Sequence, residues 1–235
     1  VRTQHGIWCA RADVIATGAF SKAIVPAFAA ELPATMHSLT ARDYRNPARL
    51  EKGGVLVVGG SATGLQLADE IRRSGRDVTL SGSEHVRMPR HYRGRDIQWW
   101  MHVTGLLDQR VDEIDDIARA RRVPSPQLIG CDEHRTLDVN ALQASGVRVT
   151  GRLMAINQAK AIFSGALRNH CALADLKQNR LLDLIDHWIT ANAIDATVAQ
   201  PERFAATRVD DSPCLQLDLQ RQGIRTVLWA TGFKP

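Results

Sequence analysis

A parallel α/β sheet is the architecture this sequence predicts, and three consecutive features carry the prediction. Val55-Leu56-Val57-Val58 is an unbroken run of β-formers, Gly59 to Gly64 is a glycine-rich turn, and Leu65 to Ser74 is amphipathic at helical spacing. In the helix, Leu67 and Ile71 lie four apart, Leu65 and Ala68 three apart, and Asp69 faces Arg73 at i,i+4. Ser74-Gly75-Arg76 ends it, and Asp77-Val78-Thr79-Leu80 reads as the second strand. A strand–helix–strand unit of that length crosses over right-handed and sets both strands in one parallel sheet.

The turn also predicts a ligand. Gly59-Gly60-Ser61-Ala62-Thr63-Gly64 matches G-x-S-x-x-G, with Ser61 where the stricter pattern has a second glycine. Between a strand and a helix N-terminus it presents free backbone N–H groups and a positive helix end to a pyrophosphate. This is a Rossmann-type fingerprint; the bland alternative is an α/β core whose tight turn holds nothing. The end of the second strand gives a mixed signal on the nicotinamide cofactor. Glu84, 20 residues past Gly64, stands about where a carboxylate would bond the ribose hydroxyls of NAD. Ser81, Ser83, His85, Arg87 and Arg90 in the same loop suit the 2′-phosphate of NADP. A solvated loop is the plain alternative for the two arginines.

The other elements follow in order. Residues 21–50, punctuated by Pro26, Pro33 and Pro47, read as a linker in which Ala29 to Leu32 is too short for a helix of consequence. Ile97 to Leu106 reads helical, with Trp99 and Trp100 both best placed in core. Val123-Pro124-Ser125-Pro126 is a stiff loop, and Val147–Val149 and Lys160–Phe163 are short strands. Cys171 to Thr190 is the clearest helix, with Leu181, Ile185 and Trp188 on one face and Asp183 and His187 on another. Pro201 to Gln222 is loop and hairpin, with Leu215, Leu217 and Leu219 alternating. One phrase occurs twice, as Asp13 to Phe20 and as Thr226 to Phe233, each an apolar strand ending in Ala-Thr-Gly. Both read as strand ends at one crossing point, where Thr17, Gly18, Thr231 and Gly232 let backbone approach closely.

Composition narrows the classes. A chain of 235 residues with 44% hydrophobic content can bury one large or two modest cores. The net charge of +5 is modest, and Arg119-Ala120-Arg121-Arg122 is short and lacks aromatics, so a solvated face outranks a nucleic-acid site. No apolar run is long enough to span a membrane and no signal architecture starts the chain. Cys9, Cys131, Cys171 and Cys214 are far apart, which fits reduced thiols in the cytoplasm and gives no zinc or redox pair. G-x-S-x-G, H-E-x-x-H and G-x-x-x-x-G-K-[ST] are absent, so no hydrolase, zinc-protease or P-loop frame is available.

Several phrases together resemble one family. Trp8 to Gly18 resembles the strand closing the first half of an FAD domain. Leu32-Pro33 through His37-Ser38 to Tyr44 resembles part of the fingerprint F-x-G-x-x-x-H-[ST]-x-x-Y. Gly59 to Gly64 resembles an NADPH turn, and Met88-Pro89-Arg90 with Tyr92 to Asp96 resembles the loop after it; Trp229 to Phe233 resembles the strand returning to the FAD domain. The chain thus resembles the central part of flavin-containing monooxygenase-like oxidoreductases, which bind two dinucleotides. Three departures stand out: Glu31 and Pro33 replace the Phe and Gly of the fingerprint, Glu84 stands where relatives often place an arginine, and the FAD turn G-x-G-x-x-G is absent. The resemblance implies flavin-domain strands at 1–20, a linker at 21–50, an inserted NAD(P)-binding domain at 51–225 and a returning flavin-domain strand at 226–235. It also implies NADP or NAD in this chain and FAD in the complete enzyme, with His37 near the nicotinamide. Hydride would pass to flavin, and O2 would then be activated to oxidise a small-molecule substrate. A flavin reductase without oxygen insertion and a catalytically silent nucleotide-binding module are the alternatives, and the polypeptide as given is expected not to hold FAD by itself.

Overall fold

Strands with few polar positions dictate the centre of the fold. The computed structural model describes residues 1–16, 18, 22–131 and 133–234. The strands of its two main sheets are, in chain order, His37–Thr40 (β1), Gly54–Val58 (β2), Val78–Ser81 (β3), Arg148–Thr150 (β4), Leu153–Asn157 (β5), Lys160–Phe163 (β6), Gln216–Asp218 (β7) and Ile224–Trp229 (β8). The main helices are Ala62–Arg73 (α1), Ile97–Val103 (α2), Val139–Ala144 (α3) and Leu167–Ala191 (α4).

Five strands form one parallel sheet in the order β1-β8-β2-β3-β4, and β5-β6-β7 form an antiparallel sheet. All five residues of β2 are buried because both its faces are covered. Val55 and Val57 pack with Leu65, Ala68 and Ile71 of α1. Leu56 and Val58 pack on the other side with Ile156, Ala161, Phe163 and Leu217 of the antiparallel sheet. The result is three layers: helix, parallel sheet, antiparallel sheet. A third cluster joins Ile97 and Trp100 of α2 to Leu182, Ile185 and Ile189 of α4. In α4 the buried residues Leu167, Cys171, Ala174, Gln178, Leu182, Ile185 and Ile189 recur every three or four positions, one continuous stripe.

Several placements differ from the reading of the sequence. Residues 226–229, read as an arm of another domain, lie in the middle of the parallel sheet, paired with β2 on one side and β1 on the other. His37–Thr40, inside the presumed linker, is therefore an edge strand, held also by the Trp229 indole donating to Ser38 Oγ at 2.9 Å. The first copy of the repeated phrase finds no such partner. Described residues 8–16 form no strand, and Val14 and Ile15 are each 89% exposed. Thr17, Ala19 and Phe20 lie outside the described residues. Among the described residues, only the second copy pairs into a sheet. Beyond it the chain turns back, and Phe233–Lys234 pairs antiparallel with Lys22–Ala23.

Buried ion pairs tie the helices to the long segment before β7. The Arg87 guanidinium, 4% exposed, donates to Asp138 at 2.7 and 3.0 Å, to Asp175 at 2.7 Å and to the Ala205 carbonyl at 2.9 Å. Asp138 also caps α3 by accepting from the Ala141 N–H. Asp186 of α4 accepts from the Tyr92 hydroxyl, Arg93 and Arg203. The Tyr92 phenol is pushed up to about 12, first by burial and then by that carboxylate. No helix among the described residues is long and apolar enough to cross a membrane.

Candidate functional site

In an open parallel sheet, ligands bind beyond the carboxyl ends of the strands, where successive connections leave in opposite directions. Here that point is β2, whose neighbours β3 and β8 lie on opposite sides of it. A cleft of about 830 Å3 opens there. Its floor is the turn Gly59-Gly60-Ser61 with Thr63; one wall is Ser81 to Glu84 after β3, and the other is Ala230 to Phe233 after β8.

Tight backbone contacts explain the glycines. A Cβ on Gly64 would lie 1.7 Å from the Gly59 carbonyl oxygen, and one on Gly59 would lie 2.2 Å from that of Ala230. Gly59 also has φ +130°, a region that side chains disfavour. The Gly59 N–H donates to the Ser81 carbonyl and the Ala230 N–H to that of Val58, so the turn is clamped between both walls. Ser61 makes no side-chain cap, and the first helical bond runs from Leu65 N–H to the Ser61 carbonyl. The N–H groups of Ala62, Thr63 and Gly64 are therefore open at the positive end of α1, which fits a pyrophosphate.

The residues predicted for the site divide into two groups. Gly59, Gly60, Ser61, Thr63, Ser81, Ser83, Glu84, Thr231 and Gly232 line the cleft, while Ala62 and Gly64 build its floor from the first turn of α1. The Ser81 hydroxyl is already engaged, donating to the Gly151 carbonyl and accepting from the Leu153 N–H at 2.9 Å each. The Thr231 hydroxyl donates to the Ile24 carbonyl, and Glu84 pairs with Lys177 of α4 at 3.2 Å. Arg87 and Arg90 stand outside the cleft: Asp138 and Asp175 hold the first, and Asp96 holds the second at 2.8 Å. His37 starts β1, three residues (about 10 Å) short of its carboxyl end, so it does not reach the cleft. Gly18 does not line the cleft, and Thr17 lies outside the described residues.

Other residues arrive from segments whose sequence carried no motif. Arg121, Arg122, Val123, Pro124 and Ser125 line the cleft, as do Arg152 and His170. The following residue pairs explain that approach: Pro126 bridges to Val86, the Gln127 N–H donates to the Val86 carbonyl at 2.8 Å, and the Gln127 side-chain amide donates to the Gly60 carbonyl at 2.8 Å. Gln127 is 1% exposed, so that bond is fully desolvated. It fixes the Gly60–Ser61 peptide at the floor of the cleft. Gln127→Leu is expected to leave the Gly60 carbonyl unpaired at a cost of ~1–3 kcal/mol. Thermal melting should show that loss and titration should show weaker dinucleotide binding; an unchanged melt would mean the bond contributes nothing.

Nucleophilic chemistry has little to work with. Burial pushes the Cys171 thiol up to about 11, away from the reactive thiolate. His170 Nδ1 has no hydrogen-bond partner, so no serine or carboxylate is coupled to it there. Burial also lowers the His85 imidazole below its usual range, and its Nδ1 contacts only the Ser83 carbonyl.

A parallel sheet with a glycine turn and an open helix end at its switch point defines a Rossmann-type α/β protein. Part of the sequence is similar to proteins named as oxidoreductases. The chain is 35% identical over 113 residues to "Uncharacterized oxidoreductase CzcO-like" of Geobacillus kaustophilus, covering 48% of this chain and 32% of that one. It is 33% identical over 107 residues to "Uncharacterized oxidoreductase CzcO" of Bacillus subtilis, covering 46% of this chain and 31% of that one. The chain thus spans about a third of the length of the curated relatives it matches. Among solved structures, it is similar to a flavin-containing monooxygenase from Stenotrophomonas maltophilia, with 14% identity and a TM-score of 0.43 over 99% of this chain and 46% of that one. No family model matches the chain.

Proposed function

We propose that this chain is the nicotinamide-dinucleotide-binding part of a flavin-dependent oxidoreductase of monooxygenase type. The observation that carries the reading is the turn from Gly59 to Gly64, clamped between two strand ends and opening the first N–H groups of α1 into the cleft. Those groups take the pyrophosphate, as three aligned donors at a helix N-terminus do. Ser83 and Glu84 border the adenosine end; Ile24, Phe28 and Phe233 give the opposite end an apolar surface on which a nicotinamide ring can rest.

A nicotinamide held there would supply hydride chemistry, which in the complete enzyme would serve a flavin and the use of O2 on a small-molecule substrate. The chain's own work is to bind and orient the dinucleotide and to shelter it from water. Among the described residues, one strand–turn–helix cradle is built, large enough for one dinucleotide. Flavin is assigned to residues outside this cleft, and no helix among the described residues is long and apolar enough to cross a membrane.

Titration of the purified chain separates these roles. NADPH or NADH should bind saturably, read by nicotinamide fluorescence, and the protein should emerge colourless. Failure to bind either coenzyme would falsify the assignment of the cleft. A yellow preparation releasing one flavin per chain on denaturation would overturn the division of labour.

A further inference from the structure

We propose that residues 105–123 are a lid that swings down over the mouth of the cleft when a dinucleotide binds and holds it there. The inference rests on the reading of the cleft as a dinucleotide site.

Both ends of this segment are fixed. At its start, α2 is anchored by Trp100, which is 0% exposed and whose indole donates to the Tyr92 carbonyl at 2.7 Å. Gly105, at φ +75°, then turns the chain out of that helix. At its end, Pro126 bridges to Val86, and the Gln127 amide donates to the Gly60 carbonyl on the cleft floor. Arg121 to Ser125, just before this clamp, already stand on the cleft wall.

The middle is held only by itself. From Asp108 to Val123, every hydrogen bond and ion pair among the described residues is made within 105–123. The Arg110 N–H donates to Glu113 and its guanidinium to Asp112, both at 3.0 Å, and the Arg119 N–H donates to Asp116 at 2.8 Å. The rest are backbone bonds of the short helical turns Val111–Glu113 and Ile117–Ala120 and their flanks. No residue of the segment belongs to any of the three apolar clusters. Such a segment moves at far lower cost than the sheet beneath it. With both ends fixed, it can swing about them and leave the rest of the fold intact.

Its side chains are unlike those of a loop that stays in water. Leu107, Val111, Ile117 and Val123 are 56%, 68%, 41% and 57% exposed. Apolar side chains gathered on one surface segment mark a face that something covers. A swing toward the cleft supplies the cover, because a dinucleotide on the α1 turn presents the face of its base at the end bordered by Ser83 and Glu84. The anchors set that direction: Val123 lies on the cleft wall, and the Gln127 clamp keeps the segment from leaving it. Closure then excludes water from the ligand and slows its release.

The test compares hydrogen exchange of the full chain without ligand and with saturating NADPH or NADH, read by mass spectrometry. With coenzyme, peptides from 105–123 should exchange at least tenfold more slowly, together with the first turn of α1, while the middle of α4 exchanges as before. The double variant Val111→Ser with Ile117→Ser gives a second readout. Neither residue lines the cleft in this structure, so both reach a ligand only through closure. This variant should melt as wild type does and release coenzyme about tenfold faster in stopped flow. Slowed exchange in α1 with none in 105–123 would overturn the lid and leave the dinucleotide site standing, and so would slowing spread evenly over the chain or wild-type release by the variant. If neither coenzyme binds wild type, the site itself is wrong and the lid falls with it.

Discussion

Replacing Gly64 by alanine is expected to abolish measurable dinucleotide binding and to lower the melting temperature of the chain. The added Cβ would lie 1.7 Å from the Gly59 carbonyl oxygen and 2.8 Å from its carbon. Both atoms are backbone, so no side chain can rotate aside. Either the turn shifts outward or the first turn of α1 unwinds. Overpacking a core by a methyl group costs about 1–3 kcal/mol, and a fixed backbone puts this case at the upper end or beyond. Each response moves the Ala62, Thr63 and Gly64 N–H groups assigned to the pyrophosphate, so affinity falls even where the protein folds. Gly64→Leu adds volume to the same clash and should be worse. Calorimetry for stability and fluorescence titration for affinity read the two effects separately. A folded Gly64→Ala protein with unchanged affinity would remove this turn from the site.

That turn was legible because its chemistry is local. Strand, glycine turn and helix lie within some twenty residues, and the hydrophobic pattern changes period at Gly59 as the structure does. Strand order was not legible in the same way. Thr226–Trp229 was identified as a strand, but its place between β1 and β2 depends on pairings across about 170 to 190 residues, for which its own residues carry no signal. The repeated phrase shows the limit well. Asp13 to Ala16 and Thr226 to Trp229 are similar in sequence, yet only the second finds edges to pair with; propensity expresses itself as a strand only where a neighbour exists.

Charged residues were harder to place for a related reason. Arg119-Ala120-Arg121-Arg122 looked like a solvated face because the run is short and has no aromatics. What brings it to the cleft is the pairing of Pro126 and Gln127 with Val86 and Gly60. The proline pair at 124 and 126 marked that segment as stiff, and stiffness was the one available hint that its neighbours are held in place. Arg87 erred in the other direction, since the carboxylates that claim it come from α3 and α4, far along the chain.

Arg87 therefore supplies the second large expected effect. Substituting Arg87→Met leaves Asp138 and Asp175 facing each other across a buried site with no cation between them, and leaves the Ala205 carbonyl without its donor. Removing one partner of a buried ion pair typically costs about 3–5 kcal/mol, because the remaining charge is desolvated and uncompensated. For a chain of this size that corresponds to roughly 6–20 °C in melting temperature. Arg87→Lys keeps the charge but cannot reach both carboxylates as a planar fork, so it should melt between the two. The expectation divides from the one drawn from the sequence alone, in which Arg87 faces the coenzyme. A residue locked behind the cleft changes stability and leaves the ratio of NADPH to NADH affinity as it was, measured well below the melting transition. A residue on the ligand does the reverse. An Arg87→Met protein that melts like wild type but binds NADPH less tightly than before, with NADH unaffected, would return Arg87 to the site.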